Sequence, residues 1–116
     1  MKPRIYHNPR CSKSRATLEL LEERGIDLEI IEYLATPLDS AGLRALLAKL
    51  GAAPRDIVRA DENAFRESGL DLATADDAAV VDLIARHPKI MQRPIVETAT
   101  GARIGRPPEQ VLDLFE

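Results

Sequence analysis

Cysteine and aromatic residues are scarce in this sequence, and each scarcity excludes a class of protein. Cys11 is the one cysteine among 116 residues, so the chain forms no internal disulfide and no multi-cysteine metal site. Tryptophan is absent and aromatic residues make up 3% of the chain, which leaves no stacking platform for single-stranded nucleic acid. A net charge of −3 also argues against general nucleic-acid binding. The lone thiol therefore serves either packing or chemistry.

Long apolar runs are missing as well. No uncharged stretch approaches the ~18 apolar residues that a membrane span needs, and the segment Met1–Pro3 lacks the apolar core of a signal peptide. We therefore expect a cytoplasmic protein that does not contact membranes. The His, Asp and Glu residues show no spacing typical of metal ligands, so we expect no metal and no bound cofactor.

The sequence does have enough apolar residues for a folded core. Hydrophobic residues make up 45% of the chain and charged residues 30%. No stretch rich in Gly, Ser or Pro separates two parts of the chain. The sequence therefore predicts one domain over residues 1–116.

The first third of the chain predicts a βαβ unit. Arg4–His7 favours a strand, Asn8–Pro9 favours a turn, and the residues after Cys11 favour a helix that ends at Gly25. The β-branched and aromatic run Leu28–Tyr33 predicts a second strand. Because a helix connects them, the two strands should be parallel.

The middle of the chain predicts helices. Leucines at helical spacing indicate a helix that begins at Asp39 or Ser40 and ends at Gly51. A short helix is predicted over residues 54–58, and Thr74 is the predicted N-cap of another helix.

Strand patterns return near the end of the chain. Ile95–Val96 and Ala102–Ile104 flank a turn at Thr100–Gly101 and predict an antiparallel hairpin, and a last helix should follow from Pro107. Two strands at each end with helices between them predict an α/β fold, with a four-stranded mixed sheet flanked by helices.

Cys11 is the strongest candidate for a functional residue. It stands where a strand gives way to a helix, and the free N–H groups and dipole at a helix start favour an anion. Arg10, Lys13 and Arg15 add positive charge, so the thiol pKa should be lowered. Ser14 could donate its hydroxyl to the sulfur or to a bound oxyanion. The alternative, an inert buried cysteine, fits poorly with these polar neighbours.

Three arginines at segment boundaries are candidates for anion binding, because a guanidinium group matches the oxygens of a tetrahedral oxyanion. They are Arg59, Arg93 and Arg106. Each could instead be a solvated surface residue. His7, at the end of the first strand, could tune the thiol or could be purely structural.

Four segments of the chain resemble the glutaredoxin-coupled arsenate reductase family. His7–Arg15 resembles its HNPxCxxSR signature, Tyr33–Pro37 its YLxTP segment, Gln92–Val96 its RPIV segment and Arg103–Glu109 its RPxE segment. They occur in the family's order along nearly the whole chain, and the sequence is similar to a short branch of that family.

The resemblance implies a thioredoxin-like sheet with a helical insertion over about residues 37–88, and a cis bond between Arg93 and Pro94. It implies that Cys11 is the nucleophile. By motif position it assigns oxyanion binding to Arg59, Arg93 and Arg106, and supporting roles to His7, Asn8 and Ser14.

The resemblance also implies a reaction, the reduction of arsenate to arsenite. The Cys11 thiolate would attack arsenate to form a thiol–arsenate adduct, glutathione would act as the reducing co-substrate, and glutaredoxin would supply electrons. A chain with one cysteine must borrow its second thiol, which fits this scheme.

Two other functions stay open at this point. One is a glutathione-linked thiol reductase of another substrate. The other is a regulator that binds RNA polymerase, since Spx-type transcription factors share this fold. Many such regulators sense redox state through a CxxC pair, and Ser14 occupies the position of the second cysteine here, which argues against that function.

Overall fold

The computed structural model describes all 116 residues, which form two compact units. The first unit contains residues 1–36 and 93–116, and the second contains residues 37–92. The second unit covers nearly the range predicted as a helical insertion. The prediction that the chain is one thioredoxin-like domain stays a prediction.

The first unit is built on a four-stranded sheet. Its elements are β1 (Arg4–His7), α1 (Ser12–Glu23), β2 (Glu29–Glu32), β3 (Ile95–Glu97), β4 (Ala102–Ile104) and a 3₁₀ helix (Pro108–Phe115). The strand order is β2-β1-β3-β4, with β1 parallel to β2 and β3 antiparallel to both of its neighbours. The predicted mixed sheet, parallel pair and hairpin are therefore confirmed.

One face of the sheet carries the apolar core of this unit. Side chains alternate along a strand, so Ile5 of β1 and its partner Val96 of β3 point to the same face. Both are completely buried, together with Leu21 of α1 and Val111 of the last 3₁₀ helix. Burying such side chains stabilises the fold by roughly 1.5–3 kcal/mol each. This packing fixes α1 against the strand that leads into it.

A polar network lies on the opposite face. The hydroxyl of Tyr6 donates to Oε1 of Glu97 at 2.8 Å, and Arg4 lies 3.3 Å from a carboxylate oxygen of Glu29. Burial and the hydrogen bond with Glu97 raise the pKa of Tyr6 to about 12. Since these residues belong to β1, β2 and β3, their contacts connect three strands.

Strand β2 forms one edge of the sheet and is short and charged. Ile30, 47% exposed, lies between the exposed Glu29 and Glu32. Short length and charged side chains are typical of a strand at the edge of a sheet.

The second unit is helical. It contains α2 (Ser40–Leu50), α3 (Asn63–Ser68) and α4 (Asp77–Arg86), with 3₁₀ helices at Pro54–Ile57 and Pro88–Ile90. Asp39 caps α2 by accepting from the N–H of Gly42, and the left-handed Gly51 ends it, as the sequence predicted. α2 and α4 lie against each other, and each buries apolar side chains in this unit.

The structure corrects two local predictions and adds one helix. The N-cap of α4 is Asp76 rather than Thr74, because the Asp76 carboxylate accepts from the N–H of Ala79. The last helix is a 3₁₀ helix that begins at Pro108. Helix α3 was not predicted individually. No helix has both the length and the apolar character needed to cross a membrane.

The bond between Arg93 and Pro94 is cis, as the family resemblance implied. A second cis bond, between Arg106 and Pro107, was not expected. The two segments are adjacent, because the Gly105 N–H donates to the Pro94 carbonyl at 2.9 Å. Gly105 lies so close to α1 that a Cβ atom there would stand 2.6 Å from Oγ1 of Thr17.

Candidate active site

Cys11 is the N-cap residue of α1. The chain turns sharply after β1, and the Cys11 N–H donates to the carbonyl of Asn8 at 3.0 Å. The Cys11 carbonyl accepts the first helical hydrogen bond, from Arg15. The side chain is half-buried and makes no capping hydrogen bond. The thiol therefore lies at the positive end of the helix with access to solvent.

The surroundings of Cys11 lower its pKa below the ordinary value. Burial acts in the opposite direction and is the largest single influence, but it is outweighed. The backbone N–H of Ser14, the guanidinium of Arg93 and the backbone N–H of Lys13 all favour the thiolate. The thiolate is the nucleophilic form of cysteine. The direction is the one that the sequence predicted, and Arg93 contributes more than the neighbouring basic residues that the prediction used.

The Ser14 side chain holds the turn beneath Cys11. Its Oγ accepts from the Asn8 N–H at 3.0 Å and lies 2.6 Å from Nδ1 of His7. Burial lowers the pKa of His7, so its imidazole is neutral and Nδ1 can accept from the Ser14 hydroxyl. The hydroxyl thus bonds to His7 and Asn8 and not to the sulfur, which was one of its two predicted partners beside a bound oxyanion. Ser14 acts on Cys11 through its backbone N–H.

The structure brings Arg93 and Arg106 together. Arg93 directly precedes the cis-proline before β3, and its carbonyl accepts from Nε of Arg106 at 2.9 Å. Arg106 is exposed, and its terminal guanidinium nitrogens remain available to an anion. Two of the three predicted arginines therefore belong to the same unit as Cys11.

Arg59 belongs to the second unit. Its backbone N–H donates to the carbonyl of Ile90, and its side chain forms an ion pair with Glu62 at 3.1 Å. Its predicted role in oxyanion binding stays a prediction.

Tyr33 also lies beside the candidate site, although the sequence did not predict this position. It follows β2 directly, and the pairing of Glu32 with His7 brings the end of β2 beside the end of β1. Arg93 and Asn8 both act to lower the pKa of its hydroxyl, although burial dominates and raises that pKa overall. The sequence contained one signal for this position. Tyr33 ends a strand that was predicted to be parallel to the first one, and the carboxyl ends of parallel strands meet at one edge of a sheet.

A guanidinium group can bind a tetrahedral oxyanion, and a thiolate beside it can attack the central atom of that oxyanion. The fold and the site together define an α/β protein with a thioredoxin-like sheet and a single cysteine, whose thiol pKa is lowered, at the start of its first helix. The match to known proteins is more specific. Residues 6–114 match the family model described as ArsC family, and the chain belongs to that family.

Individual relatives resemble the chain along nearly its whole length. The protein named "Arsenate reductase" in Neisseria meningitidis serogroup B is 47% identical over 109 residues, covering 93% of both chains. "Uncharacterized protein YfgD" of Escherichia coli K12 is 48% identical over 112 residues, covering 96% of this chain and 94% of the relative. The solved structure "Arsenate reductase from Vibrio cholerae" is 45% identical with a TM-score of 0.92, and the match covers 97% of each chain.

Proposed function

We propose that this protein is an arsenate reductase of the glutathione and glutaredoxin type, acting in the cytoplasm. The observation that carries the proposal is the Cys11 thiol at the start of α1, whose pKa the N–H groups of the helix and Arg93 hold below its ordinary value. The names of the Neisseria and Vibrio relatives support arsenate as the substrate.

In the first step the Cys11 thiolate attacks the arsenic atom of arsenate. A sulfur–arsenic bond forms, an arsenic–oxygen bond breaks, and the departing oxygen leaves as water after taking up a proton. Arsenic stays pentavalent in this step. Arg93 and Arg106 are the proposed anion-binding groups, because positive charge offsets the repulsion between a thiolate and an oxyanion.

Two external thiols complete the reduction. Glutathione condenses with the adduct, forming a second sulfur–arsenic bond and releasing another water. The thiolate of glutaredoxin then attacks the glutathione sulfur, a disulfide forms between them, and the two electrons of the broken bond reduce arsenic to the trivalent state. Hydrolysis of the remaining bond releases arsenite and regenerates the Cys11 thiol. Because Cys11 is the one cysteine of the chain, both reducing thiols must come from outside.

The structure supports the proposed anion-binding roles of the three arginines to different degrees. Arg93 acts on the Cys11 thiol itself, and Arg106 bonds to the Arg93 backbone. Arg59 is proposed as a third anion-binding group from the family motif, and it would have to exchange its ion pair with Glu62 for the substrate.

The test is arsenite production by the purified protein with arsenate, glutathione and glutaredoxin. We expect turnover that requires both thiol components and that disappears in Cys11→Ser. Arg24→Ala, at the opposite end of α1, is the matched control and should keep full activity. Absence of arsenite from the wild type, or activity retained by Cys11→Ser, would contradict the proposal. Glutathione-dependent reduction of another substrate by a protein inert to arsenate would favour the alternative thiol reductase.

A further inference from the structure

The Tyr33 hydroxyl is an unusual group for the interior of a small domain. Tyr33 is 1% exposed, and its hydroxyl oxygen is buried without a hydrogen bond to another residue. Buried tyrosine hydroxyls almost always have a partner, because a buried donor without one loses the hydrogen bonds that it makes with water in the unfolded chain. The other tyrosine of the chain, Tyr6, follows that rule by donating to Glu97.

The position of Tyr33 relates this hydroxyl to the candidate active site. The parallel pairing of β1 and β2 aligns Glu32 with His7, so Tyr33 and Asn8 are the next residues at the same edge of the sheet. The charged groups that act on the Tyr33 hydroxyl are Arg93 and Cys11, the guanidinium and the thiol of that site. Arg93 and Asn8 lie near the hydroxyl and act to lower its pKa. No atom of the protein stands in hydrogen-bond geometry to the hydroxyl oxygen.

We propose that the Tyr33 hydroxyl binds the substrate, donating a hydrogen bond to an oxygen of the oxyanion held at Cys11 and of the adduct formed there. This inference rests on the proposed function and adds a neutral donor to the charged ones. A phenol is well suited to the role, because Tyr33 is protonated at neutral pH and adds no negative charge beside the thiolate. The ligand class is a tetrahedral oxyanion with arsenic or a similar atom at its centre.

The experiment measures oxyanion binding without requiring turnover. Alkylation of Cys11 by iodoacetamide is followed at increasing arsenate concentrations, and the concentration that halves the rate reports binding. Tyr33→Phe removes only the hydroxyl. We expect this variant to need about tenfold more arsenate for the same protection, as for loss of one hydrogen bond to a charged ligand. Its alkylation rate without arsenate should stay close to that of the wild type.

Tyr6→Phe is the matched control. Its hydroxyl is bonded within the protein, so this variant should have a lower melting temperature and unchanged protection by arsenate. Tyr33→Phe should show the opposite pattern, with an unchanged or higher melting temperature and weaker protection. A structural hydroxyl at Tyr33 would instead lower the melting temperature and leave protection unchanged, which would overturn the inference.

The outcomes also separate this inference from the proposed function. Protection of the wild type without arsenite production would overturn the reductase function, while the comparison of Tyr33→Phe with the wild type would still decide the role of Tyr33. Equal protection of both proteins would overturn the role of Tyr33 alone. Failure of arsenate to protect the wild type would overturn both.

Discussion

Replacing Arg93 by alanine is the most direct test of the activated thiol. The Arg93 guanidinium is one of three groups that lower the pKa of Cys11, and it is the only one of them that a substitution can remove, since the others are backbone N–H groups. The Arg93→Ala variant should therefore have a higher thiol pKa and a smaller thiolate fraction at neutral pH. The helix N–H groups would still keep that pKa below the value the thiol would have without them.

The size of the effect follows from the strength of a charge-assisted hydrogen bond. Such bonds contribute roughly 1.5–3 kcal/mol, and Arg93 is partly exposed, so we take the lower end of that range. A loss of about 1.5 kcal/mol corresponds to about a tenfold fall in the thiolate population at a pH well below the midpoint. Arg93→Lys keeps the charge and should lose less.

The assay is the rate of Cys11 alkylation by iodoacetamide measured over a series of pH values. Iodoacetamide is uncharged, so the rate follows the thiolate fraction rather than attraction to the arginine. Arg24→Ala is the control, because Arg24 lies about 20 Å away at the other end of α1, beyond the screening length of physiological salt. Superimposable profiles for Arg93→Ala and the wild type would refute the assigned cause of the lowered pKa.

Three further predictions concern the residues that support the site. Ser14→Ala removes the hydroxyl that partners Nδ1 of His7 and should lower the free energy of unfolding by about 1–3 kcal/mol in urea titrations, whereas an unchanged midpoint would show that the bond contributes nothing. Gly105→Ala places a Cβ atom 2.6 Å from Oγ1 of Thr17 and 2.8 Å from Cγ of Pro94, so its free energy of unfolding in urea titrations should fall by an amount typical of overpacking, about 1–3 kcal/mol. The pKa of His7 lies below its ordinary value of 6.5 because burial disfavours the imidazolium, so the unfolded chain binds the proton more readily. The free energy of unfolding should therefore fall as the pH drops below about 6.5, and His7→Gln should flatten that dependence in denaturation curves measured from pH 8 to pH 5.

The sequence predicted those elements whose boundaries have a local chemical cause. The strand Arg4–His7 ends at an Asn–Pro turn, and α2 has both a carboxylate N-cap and a C-terminal glycine, so their limits can be found from nearby residues. Helix α3 has no buried residue, so it produces no apolar periodicity. At the start of α4 the sequence contains several possible capping residues, and only the path of the backbone selects Asp76 over Thr74.

The sequence predicted the motif of the candidate site but not the contacts that its residues make. The position of Cys11 between β1 and α1 follows from the order of strand and helix signals. Tyrosine is a residue type that is common in strands, so the residue type alone indicated no functional role for Tyr33. Its position beside the site depends on the pairing of β1 with β2. The hydroxyl of Ser14 lies close in sequence to the sulfur, but its bonds run to His7 and Asn8, a choice that depends on three-dimensional geometry.

The charges on β2 have a consequence for the behaviour of concentrated solutions. If the β2 strands of two molecules paired antiparallel in symmetric register, Glu29 of each would stand opposite Glu32 of the other, and facing like charges disfavour such a pair. The two glutamates thus disfavour edge-to-edge aggregation of two molecules through the strand that exposes Ile30.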